Sequence, residues 1–486
     1  MQEKQKSLKL NFIMNAILTM SQFIFPLITF PYVSRILLPE GTGKVSFATS
    51  VISYFSMFAQ LGIPTYGVRA CAKVRDNRSE LTKTTQEIFI INMVMTAMSY
   101  AVFVICLFTV PRIQQDKTLF IIISTTLIFN AIGVEWLYKG LEQYTYITVR
   151  SIIFKFVALV AMFLLIHEKN DLVIYGGISI LAASASNVFN FFHAHRYVGF
   201  KPVRNYNFKK HLKAITIFFA MTCAVTVYTH LDTVMLGFMK TDADVGYYNA
   251  AVKIKSILVS VVTSLGTVLL PRASYYLEHN MKEEFERITR KAFNFVLLIA
   301  TPLMVYFMVF AKEGIFFLSG DAYAGSILPM QVIMPTLLFV GLSNITGIQM
   351  LVPLGREKVV LYSEIAGAIV DLIINLLLIP SFGAVGAALG TTVAECVVMI
   401  WQYIVLRDKA NKAYREVHFI PIIIGIVFGS VASVWVKTLG LSNFFTLVIS
   451  AIIFFAIYAL VLTIAREPMT LEIEKQTLKK VKGFKK

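Results

Sequence analysis

Charge is scarce in this sequence. Charged residues make up 15% of 486, hydrophobic ones 57%, and the mean hydropathy is +0.70. A water-soluble chain normally keeps about a quarter of its residues charged, so the solvent here is the lipid bilayer. Cysteine is scarce too. Cys71, Cys106, Cys223 and Cys396 stand in or beside different apolar segments without CxxC spacing. That indicates neither a disulfide framework nor a metal centre, and they read as small packing residues. GxSxG, P-loop and HExxH patterns are missing, as is any His/Cys cluster at metal-ligand spacing, so hydrolase, nucleotide and zinc chemistry have no recognisable seat. His193 and His195 fall at a helix end, where interfacial placement accounts for them. A cleavable signal peptide is not expected, because the first apolar run is far longer than a signal's apolar region and lacks a small-residue cleavage site. The net charge of +17 would suggest nucleic acid in a soluble chain; in a membrane protein it reports which loops face which side, and no nucleic-acid partner is expected.

What is present is a series of apolar runs. A helix needs roughly twenty apolar residues to cross the hydrocarbon core, and fourteen such runs follow one another: 12–34, 45–66, 87–110, 118–138, 146–166, 172–193, 213–238, 246–270, 292–311, 327–352, 359–380, 384–406, 418–436 and 443–465. The first two form a hairpin, with a polar loop of about ten residues carrying Pro39, Gly41 and Gly43. A looser copy returns from His230 to Tyr276, in which Gly246 precedes Arg272 by the same interval as Gly43 precedes Arg69. Run six (YGGISILAASASN) likewise resembles run twelve (GAVGAALGTTVAE), where Gly386, Gly390 and Ala394 make a small-residue stripe suited to close helix packing. The expected fold is therefore an all-α integral membrane protein of about 14 transmembrane helices. It comprises an N-lobe at 1–205 (helices 1–6), a C-lobe at 206–410 (helices 7–12), and helices 13–14 with a basic tail at 411–486. Six is even, so both lobes enter the membrane from one side and are related by a pseudo-two-fold along its normal.

Lys and Arg sort the loops. The amino end and the loops at 67–86, 194–213, 271–291, 353–358 and 407–417, with the tail, hold most of them, and the intervening loops hold few. Both termini are expected in the cytoplasm. The tail LEIEKQTLKKVKGFKK is either a solvated end or a strip on anionic headgroups.

Lys155, Asp232, Lys253, Lys255, Glu364, Asp371 and Glu395 fall inside the expected spans, where an ionisable group costs at least about 2.5–3.5 kcal/mol. Asp232 and Lys253 come out roughly 9 and 10 Å from the outer ends of helices seven and eight, and are expected to pair. Asp371 and Glu395 reach mid-bilayer, with Asn375 one turn from Asp371; they serve either to couple transport to Na+ or H+, or as hydrogen-bonded members of the bundle. Glu135, Lys139, Glu142 and Arg150 surround a cytoplasmic turn rich in Trp and Tyr, which reads equally as an interfacial anchor or as a gate. No cofactor is called for.

With these residues assembled, the chain resembles the polysaccharide-transporter branch of the multidrug/oligosaccharidyl-lipid/polysaccharide exporter superfamily, the bacterial O-antigen and capsule repeat-unit flippases. The stretches that carry the likeness are FPYVSRILLPEGTGKVSFA, LGIPTYGVRACAKVR, GVEWLYKGLEQYTYITVR, LDTVMLGFMKTDADVGYYNAAVKI and LLPRASYYL. The resemblance implies two six-helix lobes around a cavity that opens to alternate sides of the bacterial plasma membrane. It implies an undecaprenyl-diphosphate-linked oligosaccharide as cargo, with membrane lipids and other polysaccharide-assembly proteins as partners. It also implies cavity-lining first and second helices in each lobe, which makes Arg35, Arg69, Lys253 and Arg272 candidate substrate ligands and places Asp232 beside them. Rival readings are a peptidoglycan-precursor (lipid II) flippase and a multidrug or cation antiporter, for which an anionic cavity is expected. A membrane glycan polymerase or acyltransferase would show a large external loop or a catalytic His.

Overall fold

The computed structural model describes residues 8–203, 205–407 and 419–471. Among them there is helix and no strand, as expected where lipid offers the backbone no hydrogen-bond partner. Arg204, Lys409, Lys412, Arg415 and the tail beyond residue 471 lie outside the described residues. Side chains such as Phe12, Ile420 and Ile464, 72–74% exposed, form an outer surface tolerable in lipid and not in water.

Eleven helices are long and apolar enough to cross a membrane, or twelve if the pair Asp321–Ile333 and Thr336–Leu351, bent by 43° at Met334–Pro335, counts as one span. The expectation was fourteen, and the difference has two sources. The first two expected spans lie in one stretch, Leu10–Val74, and the eighth lies in the helix Asp242–Glu278, some of whose side chains fall outside the described residues.

The first stretch is nonetheless two helices. Helix Leu8–Gln60 breaks at Leu38 (φ 59°, ψ 178°), since Pro39 lacks an N–H and disfavours α conformation in the residue before it. Pro39 then opens the next helical segment. The expected ten-residue loop is thus corrected to a single-residue break. The contacts show that the chain reverses there. Met14, Ser21 and Tyr32 bond Thr148, Lys155 and Ile166 at a constant offset of 134 residues, so the first helix runs parallel to Tyr144–Leu165. Asn92 and Ser99 bond Ala59 and Phe55, so the segment after the break runs antiparallel to Arg78–Thr109. The latter is parallel to Tyr144–Leu165, because Tyr100–Ser124 and Lys117–Phe108 make an antiparallel pair with Lys117–Ile132, Asn187–Asn130 and the approach of Gly176 to Leu119 set 172–193 parallel to that helix, and the short connection from Leu165 to Leu172, with Tyr146 back on Phe189, turns the direction once more.

Contacts divide the chain into two compact units, Met1–Gly246 and Tyr247–Lys486, a different cut from the repeat-based 1–205, 206–410 and 411–486. Helix Lys209–Met239 belongs with the first unit because it packs on the first stretch: Tyr54 donates to the Val227 carbonyl, and Gly62 lies against the Phe218 backbone. Helices Phe419–Val434 and Asn443–Ile464 belong with the second. Tyr306 bonds the Leu447 carbonyl at 2.7 Å and Tyr458 the Leu298 carbonyl at 3.0 Å, while Gly425 and Gly429 let Tyr458 and Phe454 approach closely. The repeat division is retained as a proposal about internal symmetry.

Loops expected to share a side meet. In the first unit Lys44, Arg112, Asp116 and Asp242, from three expected external loops, form one ionic cluster: Lys44–Asp116 at 3.2 Å, Arg112–Asp116 at 3.6 Å, and Arg112 on Asp242. Beside it Gly43 packs on the backbone of Asp242 and Gly246, and Gly246 packs on the Pro39 carbonyl. The matching glycines of the two hairpin copies therefore each lie against the backbone of the other copy.

Candidate functional site

In the first unit the expected gate residues form a real cluster at the end where Arg75, Glu142 and the 194–210 linker gather. Helix Glu135–Gly140 starts at Val134, which has φ 37°. Glu135 pairs with Lys139 at 2.7 Å, one turn away, and with the buried Arg150 at 3.6 Å. Glu142 (φ 57°) pairs with Arg75 at 2.9 Å, which ties the turn to the helix Ile63–Val74. Glycine makes that approach possible: a Cβ on Gly67 would stand 2.6 Å from the Trp136 ring, and one on Gly140 would stand 3.0 Å from Cys71 Cβ and the Val68 carbonyl. Beneath them the fully buried Tyr138 donates to the Asn190 carbonyl at 2.7 Å and stacks with Tyr146, which stacks in turn on His193 at 4.2 Å.

A second network at this end was not legible in the sequence. Glu87, with no exposed surface, accepts from Lys210 at 2.7 Å, His211 Nε2 at 2.8 Å and the Asn207 amide at 2.7 Å. His211 Nδ1 lies 2.6 Å from the Tyr66 hydroxyl. The preceding residue, Gln86, donates to the Gly199 and Lys201 carbonyls and accepts from Tyr206. The linker between the sixth and seventh expected spans is thus clasped to the start of Arg78–Thr109. The available signal was an acid and an amide, Gln86–Glu87, at the mouth of an apolar run.

In the second unit Asp371 and Asn375, both buried, converge on Gly390 of the following helix. A Cβ there would stand 2.3 Å from Asn375 Oδ1 and 2.8 Å from Asp371 Oδ1. Gly386 meets the Leu378 backbone in the same way, so the small-residue stripe is the contact between helices Glu357–Phe382 and Ala384–Val405. Glu395, 9% exposed, follows Gly390 on its helix. Further along, the buried Gln402 bonds Thr346 at 2.7 Å and Ser363 at 3.0 Å.

The expected substrate ligands are distributed over both units. Arg35 is exposed, with Nη1 on the Pro31 carbonyl one turn back; Arg69 is exposed, near Tyr66. Asp232 is buried in the first unit. Lys253 is half-buried and Arg272 exposed, both in the second. The pairing of Asp232 with Lys253 is retained as a proposal.

Residues 8–277 match the family described as "Polysaccharide biosynthesis protein", and residues 218–377 match the MatE family. A protein of Escherichia coli (strain K12), provisionally named an O-antigen transporter, is 24% identical over 420 residues, covering 84% of this chain and 99% of that one. Among solved structures, the lipid II flippase MurJ in an inward closed conformation superposes with a TM-score of 0.72 at 15% identity, over 94% of this chain and 99% of that one. An inward-facing multidrug resistance transporter of the MATE family, in the MOP superfamily, gives 0.61 at 13% identity, over 82% and 99%. At these identities the two structures establish a shared fold.

Proposed function

Because the chain belongs to the polysaccharide biosynthesis protein family, we propose that it is a flippase. It moves undecaprenyl-diphosphate-linked oligosaccharide repeat units from the cytoplasmic to the outer leaflet of the bacterial plasma membrane by alternating access, for surface polysaccharide synthesis. The observation that carries the reading is the family match across 8–277, joined to a likeness that spans 99% of a relative with an O-antigen transport name. In this reading both termini are cytoplasmic, and membrane lipids and other polysaccharide-assembly proteins are its partners.

A diphosphate leaving water needs compensating cations, because an unpaired phosphate in low dielectric is far more costly than one held by Lys or Arg. Lys253, Arg35, Arg69 and Arg272 are the proposed ligands, with Asp232 a proposed charge partner for Lys253. Asp371, Asn375 and Glu395 are the proposed seat of H+ or Na+ coupling, and Glu135, Glu142 and Arg150 the proposed cytoplasmic gate. A second reading, lipid II as cargo, is favoured by the likeness to MurJ. The test is complementation of the producing bacterium after deletion of this protein. Parent restores surface glycan, whereas Lys253→Ala leaves it stalled while lipid-linked repeat units accumulate on the cytoplasmic face. Normal surface glycan in the deletion strain, together with rescue of a strain lacking its lipid II flippase, would assign the second cargo instead.

A further inference from the structure

The first helix and Tyr144–Leu165 are bonded at Met14–Thr148 and at Tyr32–Ile166. Between these bonds lies a cleft of about 310 Å³, lined by apolar side chains that include Met20, Ile24, Ile28 and Phe156, with Ser21 and Lys155 as the polar lining residues. Lys155 donates to Ser21 Oγ at 2.7 Å. No carboxylate among the described residues lies within ion-pair distance of it. Glu135, whose field reaches it, is engaged by Lys139 and Arg150.

Depth separates this lysine from an interfacial anchor. It is the twelfth residue of a 22-residue helix, about 15–17 Å from either end and so near the bilayer midplane. A lysine there normally extends its flexible stem toward the headgroups; this one is bonded to a serine in the wall of the cleft. The walls open outward, with Phe156 64% and Met20 59% exposed, giving a lipid chain lateral access. The cleft thus offers an apolar slot with one cation in it, complementary to an anionic amphiphile. A resident phospholipid keeps its phosphate at the interface, about 15 Å from the midplane. A phosphate reaches Lys155 when its lipid is crossing.

We infer that the Ser21–Lys155 cleft is a mid-membrane station at which the chain of a polyprenyl-type lipid lies along the apolar walls and its phosphate takes Lys155 in passage. The inference rests on the flippase reading and adds a ligand outside its proposed set. The full chain in nanodiscs is titrated with undecaprenyl diphosphate, with phosphatidylglycerol as competitor. Lys155→Gln keeps a donor for Ser21 and loses the charge, so it separates an anion ligand from a helix-to-helix bond. Its affinity falls about tenfold or more, while Lys155→Arg stays near parent and phosphatidylglycerol does not displace the probe. Equal binding by parent and Lys155→Gln overturns the station and leaves the flippase reading standing. Displacement by phosphatidylglycerol at matching affinity makes the cleft an ordinary lipid site and also overturns it. Failure of the parent to bind overturns both. A photo-reactive residue in place of Ile24, in the otherwise parent chain, gives a check that does not depend on how the Gln variant folds: it cross-links to undecaprenyl diphosphate, and absence of that adduct contradicts the station.

Discussion

Gly43→Ala tests the close approach of the two hairpin copies. Gly43 and Gly246 hold matching places in the repeat. A Cβ on Gly43 would stand 1.8 Å from the Asp242 carbonyl oxygen, 2.8 Å from its carbon and 2.9 Å from the Gly246 nitrogen; one on Gly246 would stand 2.1 Å from the Pro39 carbonyl oxygen. Carbon and oxygen need about 3.3 Å, so the backbones must part by about 1.2–1.5 Å, and neither obstacle is a side chain that can swing aside. Over-packing against groups that yield costs about 1–3 kcal/mol, and here the upper end is the floor. In a unit of this size about 3 kcal/mol lowers the thermal midpoint in detergent by about 6–12 °C. The Arg112–Asp242 pair moves with it. Gly246→Ala has a similar effect, and the double variant loses less than the sum, because both methyl groups push one interface. Gly177→Ala is the control: its nearest neighbour, Ile122 Cγ2, would be 3.7 Å away, and alanine favours the helix by about 1 kcal/mol. A midpoint for Gly43→Ala equal to that of Gly177→Ala would show that the two backbones are not in contact at Gly43.

Glu87→Gln retains the shape of the linker clasp and loses its charge. With one or two charge-assisted bonds weakened, at about 1.5–3 kcal/mol each, amide exchange at Asn207 and through 199–211 accelerates by tenfold or more; unchanged protection would show that the clasp contributes nothing. Glu467, just past helix Asn443–Ile464, supplies a pH dependence. Burial raises its carboxyl, but bonds from Asn294, the Thr470 amide and hydroxyl, and the Met469 amide outweigh this and hold it below the usual carboxylate range. Its contribution is therefore fully present above the unfolded carboxyl's pKa of about 4.3 and is lost as pH falls through the lowered value. Exchange at Leu471, whose amide bonds the Glu467 carbonyl, accelerates below that pH in the parent, whereas in Glu467→Gln it is pH-independent beyond the intrinsic rate; identical profiles would contradict the assignment. Reporter fusions after Lys240, Asp321 and Lys437 report the outside, and those after Arg78, Lys210 and Arg415 the cytoplasm. Reversal at any one site would undo the alternation.

Hydropathy and charge made the helix order readable, because a membrane span is set by length and apolarity alone. They did not reveal that the first hairpin turns at one residue: Glu40, Thr42 and Lys44 read as loop, whereas Pro39 starts a helix whose polar residues join the Lys44–Asp116 cluster. The Gly386–Gly390–Ala394 stripe was legible as packing from its spacing, and the structure adds that Asp371 and Asn375 are what it admits. The Glu135–Arg150 pair was visible as local charge. Glu142–Arg75 and Glu87–His211 were not, since their partners lie 67 and 124 residues apart and no motif links them. Lys155 was noticed as a charge out of place; its cleft depends on a parallel pairing of helices 134 residues apart.

Transport of a lipid-linked glycan across the bilayer can be followed with the purified full-length protein in sealed vesicles containing an undecaprenyl-diphosphate oligosaccharide in both leaflets, the glycan being scored by a membrane-impermeant glycan-cleaving enzyme. With the parent, cleavage passes beyond the outer-leaflet share and proceeds toward completion, and with Lys253→Ala it does so more slowly. Cleavage that halts at the outer-leaflet share, as in protein-free vesicles, would show that this chain does not carry the glycan across.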